Sequence, residues 1–239
     1  MKKITLALLF STFSLFAQNS SPNCDILLKI NKLLQKEHYS PKPVNDSLSA
    51  YVFDELLNDL DPSRNIFLKS QADSLSNIYR LQLDNLILNN NCAFLDDIKN
   101  VYKKSLLRNK TILEKLNKAT IDYNTKDKKK KKKQDSNFYL KANEVEKAWN
   151  KKIRYEVFND IAEKSKNLDS LKLYFGFMSL TSQKSIIENE LCKINVSLTN
   201  DKPFKDDFYT IVFFFFDPHT NYFSNDTKSS FVSTLSKEK

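Results

Sequence analysis

Hydrophobic side chains recur every three or four positions through most of this chain, the spacing that places them on one face of an α-helix. Residues 25–38 carry the first such stripe, which ends before a proline-containing break. A second helix is predicted from Asn45 or Asp46 to Asp61-Pro62, because proline disfavours helical backbone in the residue before it. Further helices are predicted as follows: one capped by Ser70 with Asp73 and continuing to Ile87, one at 92–118, one at 143–165, one or two over 168–195, and a last at 203–216.

Glycine occurs once in the 239 residues, at Gly176. Phosphate-binding loops, dinucleotide fingerprints and glycine-rich oxyanion turns all depend on glycine backbone freedom, so this composition argues against them. Sandwiches and barrels with many tight turns also rely on glycine. The predicted fold class is therefore all-α, an irregular bundle of helical hairpins in a single domain.

The N-terminus has the order typical of a secretory signal peptide. Lys2 and Lys3 precede an apolar run at 4–10, and a short-residue segment ends at Ala17. The run is too short to span a bilayer as a stable helix, and no other segment is apolar for long enough. We expect a signal peptide at 1–17, a flexible leader at 18–23 and the helical domain at 24–235, with export to the periplasm and no transmembrane segment.

The formal net charge of +9 is concentrated in one short segment. Removing Lys2 and Lys3 with the signal peptide leaves +7, and the seven lysines within 126–133, set against Asp127, account for +6 of that. Like charges in one block repel and stay solvated, which predicts a disordered basic loop at 126–137. A nucleic-acid interface would spread positive side chains over several elements, so nucleic acid is disfavoured as a partner. Binding of an anionic surface or of nucleic acid through the lysine run is kept as a minor alternative.

Three cysteines allow one internal disulfide at most. Export permits a disulfide, and we favour Cys92 with Cys192 because both lie in predicted helical segments. Buried, reduced thiols are the alternative.

Few residues offer reactive chemistry. The chain has two histidines, His38 and His219, whereas a zinc site needs three or four ligands at workable spacing. No serine or cysteine lies in a small-residue turn that would expose a nucleophile beside oxyanion donors. We therefore expect no catalytic residue, no metal site and no cofactor. Trp149, the single tryptophan, is interpreted as a core anchor within a helical stripe.

The segment that follows the last predicted helix has a local physical explanation. Pro218 stops the helix, and the carboxylate of Asp217 can accept amide hydrogen bonds from His219 or Thr220 in a turn. Tyr222 can then pack back on the bundle. The four aromatic residues at 213–216 are interpreted as core or as a docking ridge.

Four separated segments carry a family resemblance. They are His38-Tyr39-Ser40-Pro41-Lys42-Pro43; the stretch at 60–68 with Asp61, Pro62, Arg64 and Phe67; the helix at 149–156 with Trp149 and Arg154; and Asp217, Pro218, His219, Thr220 and Tyr222. In this order they resemble the N-terminal helical domain of the C-terminal-processing (tail-specific) serine proteases.

The resemblance implies a role in protein processing. In that family the helical domain helps to form a bowl around the substrate, a PDZ domain recognises an apolar tail, and a serine attacks with a lysine as its base. The PDZ and Ser-Lys segments would lie beyond Lys239, so we expect a truncated, non-catalytic domain that shapes the substrate cavity or docks partner subunits. The expected partners are protein substrates, adaptor or protease subunits, or a second copy in a homodimer. A free-standing helical module that regulates a full-length protease is the alternative.

Overall fold

A computed structural model describes most of the chain. The described residues are 24–124, 140–164, 166–200, 202–219, Tyr222, 228–229 and Ser233. The predicted signal peptide at 1–17, the leader at 18–23, the basic loop at 126–137 and Thr220 lie outside the described residues.

The described ranges form helices and no strand, which confirms the all-α class. In these ranges β-type pairing is limited to an isolated bridge between Leu68 and Leu140. The helices are α1 Asp25–Glu37, α2 Asp46–Leu60, α3 Lys69–Tyr79, α4 Leu83–Leu88, α5 Ala93–Lys118, α6 Ala142–Lys164, α7 Leu168–Thr199 and α8 Lys202–Phe216.

The limits of α2 follow from its sequence. The side chain of Asn45 accepts a hydrogen bond from the backbone N–H of Ser47 at 3.0 Å, which satisfies one of the free donors at the helix start. At the other end Asp61 leaves helical geometry directly before Pro62. Both limits were predicted from the sequence.

The third predicted helix is two helices, and its predicted cap is wrong. The Gln71 side chain, instead of a Ser70–Asp73 pair, accepts the Leu68 backbone N–H at 2.9 Å, while Asp73 pairs with Lys69. α2 packs against both α3 and α4, on either side of the break. Ser49 Oγ accepts the Asp84 backbone N–H at 2.7 Å and so caps α4 from a distance.

Two apolar cores lie along the molecule, and α5 contributes to both. The first core packs α1, α2, α4 and α8 with the start of α5, through residues such as Phe53, Phe94 and Phe208. The second core packs the rest of α5 against α6 and α7, with Trp149 and Ile187 fully buried or nearly so. At 26 residues α5 is about 39 Å long, enough to connect the two cores.

The predicted Cys92–Cys192 disulfide is wrong. Cys92 is bonded to Cys24 instead, and Cys192 is a free thiol exposed on α7. Cys24 and Cys92 are both buried in the first core, whereas Cys192 lies on a helix of the second core. The Cα atoms of Cys24 and Cys92 are 5.4 Å apart, within the range that a disulfide spans.

Among the described residues, none of the helices combines the length and the apolar character that crossing a bilayer requires.

Candidate functional site

The first signature segment forms a tight turn around a buried carboxylate. Asp61 is fully buried, and its carboxylate accepts backbone N–H groups of Asn65, Ile66 and Phe67, each at 2.9 Å. Burial raises the pKa of Asp61, and these amide hydrogen bonds together with the charge of Arg64 oppose that shift. The carboxylate therefore holds residues 61–67 in one conformation, which we call the Asp61 turn.

Arg64 and Phe67 have different roles in the Asp61 turn. Arg64 adopts a left-handed backbone conformation, with φ of 56°, and its guanidinium donates to the carbonyls of Leu57 and Asp61 at 3.3 Å. Phe67 is completely buried and packs on the ring of Tyr102, with ring centroids 5.7 Å apart. The Arg64 side chain thus ties the turn to the end of α2, and Phe67 anchors it in the interior.

Asn109 of α5 connects the Asp61 turn to the tryptophan signature. The indole Nε1–H of Trp149 donates to Asn109 Oδ1 at 3.0 Å, and Asn109 Nδ2 donates to the carbonyls of Asn65 and Ile66 at 3.3 Å. Trp149 and Asn109 are both buried, so these hydrogen bonds have no competing solvent. Sequence analysis missed Asn109; the available signal was a polar residue between Leu106 and Leu113 on the buried face of α5.

Arg154 is buried, and its Nη1 donates to the carbonyl of Asp122 at 3.3 Å, beyond the end of α5. Arg108, which the sequence analysis also missed, donates to Gln71 Oε1 at 3.2 Å and to the carbonyl of Ile66. Burial lowers the pKa of Arg108, and the charge of Asp61 opposes that shift.

The last signature segment forms a turn directly after α8, which we call the exit turn (residues 217–219). Asp217 Oδ1 accepts the backbone N–H of His219 at 2.9 Å, as the sequence predicted, and lies 3.0 Å from His219 Nδ1. The amide and ring of His219 lower the pKa of Asp217, with smaller contributions from the charges of His219 and His38. Pro218 is exposed at the corner of the turn.

Residues from the link between α1 and α2 contact the exit turn. His38 Nε2 lies 4.0 Å from Asp217 Oδ2, and His38 Nδ1 accepts the backbone N–H of Ser40 at 3.1 Å. Lys42 donates to the carbonyl of Phe215, one of the acceptors left free at the end of α8, and lies 5.1 Å from the centroid of the Phe215 ring. The first and last signature segments are therefore in contact.

Tyr222 packs back against α8, as expected. Its ring centroid lies 5.1 Å from that of Tyr209 and 5.9 Å from that of Phe213. Within the aromatic run, Phe213 and Phe216 are buried in the first core, and Phe214 is 37% exposed. The run is therefore mainly core.

An apolar pocket lies beside the exit turn, because Phe216 lines it and directly precedes Asp217. It has an empty volume of about 310 Å³, which includes space open to solvent. Its walls come from α1, α2, α4, α8 and the link before α2, and their residues are Leu27, Ile30, Asn31, Leu34, Val44, Leu48, Ile87, Val212 and Phe216. The single polar member is Asn31, so the pocket suits an apolar group.

Among the described residues, no group of three or more His, Cys, Asp or Glu side chains could hold a metal ion. We take the pocket together with the exit turn as the candidate functional site, because the pocket is apolar and lies beside the turn.

The chain is thus an all-α bundle that contains a buried Asp-Pro turn, a tryptophan anchor and an Asp-Pro-His exit turn. The chain belongs to the family described as the tail specific protease N-terminal domain, whose pattern matches residues 30–226. This match confirms the resemblance inferred from the four segments.

The chain is also similar to a "Tail-specific protease" of Haemophilus influenzae (strain ATCC 51907 / DSM 11121 / KW20 / Rd). The two are 24% identical over 206 residues, which cover 84% of this chain and 28% of that protein. The chain thus spans a little more than a quarter of the length of this relative.

Proposed function

We propose that this chain acts as the non-catalytic helical domain of an exported carboxyl-terminal processing serine endopeptidase, where it forms one wall of the cavity that holds the protein substrate. Its family membership and the order of its signature segments support this role. Docking of a partner protease or adaptor subunit is the other role that the family resemblance implies.

The observation that carries the proposal is the position of the apolar pocket. Phe216 lines the pocket and Asp217, the next residue, begins the exit turn. Lys42 donates to the carbonyl of Phe215 and His38 lies 4.0 Å from Asp217, so the exit turn lies beside the link that contributes Val44 to the pocket. A substrate segment near the point where the chain leaves the bundle would therefore meet an apolar surface. We propose that its occupant is an apolar side chain of the protein substrate.

Export is part of the proposal and has two supports. The first 17 residues have the basic–apolar–small order of a secretory signal peptide. The Cys24–Cys92 disulfide suits an oxidising compartment such as the periplasm, because cytosolic thiols are kept reduced.

The proposal is tested by binding of an unfolded polypeptide. The probe is a fluorescently labelled, reduced and carboxymethylated model protein that ends in an apolar tail, and the readout is fluorescence anisotropy with the mature chain. Leu34→Gln places a polar group on the pocket wall and should weaken binding about tenfold. A loss of that size is expected when one apolar side chain of the probe is less well buried.

Leu33→Gln is the matched control. Leu33 precedes Leu34 on α1, is 59% exposed and does not line the pocket, so this variant should bind like the parent. Equal binding by all three proteins, or no binding by the parent, would reject the pocket as a substrate wall. Hydrolysis of the probe by the purified chain, stopped by a serine-directed inhibitor, would reject the non-catalytic role.

A further inference from the structure

The first half of α7 presents an apolar surface that the bundle does not cover. Leu173 and Phe177 are each 75% exposed and Leu180 is 59% exposed, whereas the buried residues of α7 begin only at Ser179. On the opposite side of the same segment, Phe175 stacks on Phe158 with ring centroids 5.8 Å apart. The helix is thus attached to the bundle through one side and exposes three large apolar side chains on the other. Exposed apolar patches of this kind mark interaction surfaces.

The only glycine of the chain lies in the middle of this surface. Gly176 is exposed inside a 32-residue helix, where glycine is less favourable than alanine by about 0.5–1 kcal/mol. A Cβ atom added at Gly176 would meet nothing within 4 Å, so the fold of one copy gives no reason for glycine here. Glycine does allow another backbone or a large side chain to approach the helix closely.

Charged residues stand at the two ends of the surface with opposite signs. Asp169 lies one turn before Leu173, and Lys184 lies one turn after Leu180. At 100° per residue, these four positions fall within about 60° of one another around the helix. Asp169 is 97% exposed and Lys184 is 70% exposed, and each has a loose partner on its own helix, at 4.0 Å and 3.9 Å respectively. Both charges are accessible to a partner.

We propose that this surface joins two copies of the chain through an antiparallel pair of α7 helices. The pattern is symmetric about the point between Gly176 and Phe177. When a second α7 is laid antiparallel over that point, Asp169 faces the Lys184 position and Leu173 faces the Leu180 position. Gly176 and Phe177 lie about 100° apart around the helix. The two Phe177 side chains therefore lie side by side on one edge of the interface, and the two Gly176 positions lie side by side on the other. Each unlike contact then occurs twice and each like pair lies at the axis, as a twofold interface requires. An unrelated partner would have no reason to match this internal symmetry.

The interface is small, so the dimer forms reversibly and depends on protein concentration. It uses α7, whereas the proposed substrate pocket lies between α1 and α8. The inference therefore goes beyond the proposed function, and either can fail without the other.

The experiment is sedimentation equilibrium of the mature chain over a range of concentrations. All variants carry Cys192→Ser, because the exposed thiol of Cys192 could otherwise link two copies covalently. The parent should show a monomer–dimer equilibrium. Asp169→Lys places lysine opposite lysine, and Lys184→Asp places aspartate opposite aspartate, so each variant should raise the dissociation constant about tenfold.

The charge-reversal variants also test the register. The double variant D169K/K184D restores opposite charges in every pair and should regain the parent's dissociation constant within about threefold. A mixture of the two single variants should form a heterodimer, since its pairs are again Lys with Asp. If the single variants lost the dimer only because they damaged α7 itself, neither the double variant nor the mixture would regain it.

Phe177→Glu should abolish the dimer, and Leu107→Glu is its control. Leu107 is 53% exposed on α5, outside the surface, so this control should dimerise like the parent. Circular dichroism checks that both variants remain folded. The proposal is overturned if the parent stays monomeric at every concentration, even if it binds a different protein. So does a dimer that neither charge reversal nor Phe177→Glu weakens.

Discussion

His38 Nε2 lies 4.0 Å from Asp217 Oδ2, although the two residues come from opposite ends of the helical bundle's sequence. The contact joins the end of α1 to the turn that follows α8. The His38 side chain is 11% exposed, whereas that of His219, the other histidine beside Asp217, is 90% exposed. His38 is therefore the histidine that contacts the exit turn from within the bundle, and His219 shapes the turn locally.

The lowered pKa of Asp217 predicts a pH dependence of stability. A carboxylate whose pKa is depressed on folding stabilises the fold above its ordinary pKa, 3.8, and loses that effect as the pH falls through the folded value. Asp217→Asn should lower the melting temperature at neutral pH, and the difference from the parent should shrink at pH values below about 3.8. Thermal melts across pH measure this. A difference that stays constant down to pH 2 would show that Asp217 acts without its charge.

Replacing Trp149 tests the connection to the Asp61 turn. Trp149→Phe keeps an aromatic ring but removes the donor to Asn109 Oδ1, leaving a buried acceptor without its partner. The free energy of unfolding should fall by about 1–3 kcal/mol, plus the effect of the smaller ring. Urea denaturation followed by circular dichroism gives the value. Tyr155→Phe, further along α6 at a 66% exposed site, should change it by less than about 0.5 kcal/mol.

The revised disulfide makes a direct chemical prediction. Denatured, unreduced protein should contain one reactive thiol, that of Cys192, and a proteolytic digest should yield a Cys24–Cys92 linked peptide by mass spectrometry. A linked Cys92–Cys192 peptide would restore the pairing first inferred from the sequence.

Loss of the same disulfide should be costly for stability. The bond closes a loop with a sequence separation of 68, for which chain entropy predicts about 4 kcal/mol. The variant C24S/C92S should lose stability of that order in urea denaturation, whereas Cys192→Ser should leave it almost unchanged. Equal effects of the two changes would contradict the assignment.

Gly176→Ala separates the stability of one copy from the association of two. Because a Cβ atom meets nothing within 4 Å, alanine should stabilise the monomer by about 0.5–1 kcal/mol through its higher helix propensity. The same change should weaken the proposed dimer, where Gly176 of the second copy would approach this position. Melts at low protein concentration and sedimentation at high concentration measure the two effects. A destabilised monomer would mean that Gly176 has a role inside the single chain.

Local patterns in the sequence predicted most of the helices. The stripe in α1, the Asn45 cap of α2 and the proline stop at Asp61 depend on neighbouring residues, so reading along the chain found them. The break between α3 and α4 was missed because Ser49 of α2 caps α4 from another part of the fold. The Gln71 cap was missed because Ser70 with Asp73 fits the usual capping pattern better.

The four signature segments were recognised individually, but their association in pairs was not. The Asp61 turn contacts Trp149 through Asn109, and the segment with His38 and Lys42 contacts the exit turn. Asn109 was overlooked because an isolated asparagine in a helical stripe carries no chemical signature until its partners are known.

The sequence by itself determined the all-α class, the family and the position of most helix ends, because helical periodicity, capping and proline act over a few residues. Only the tertiary structure decided which cysteine pairs with Cys92, which polar residue joins the Asp61 turn to Trp149, and that His38 lies against Asp217. These contacts depend on how α1, α5 and α8 pack against one another. Packing of distant segments is set by the shape and burial of whole helix faces, which short-range patterns do not encode.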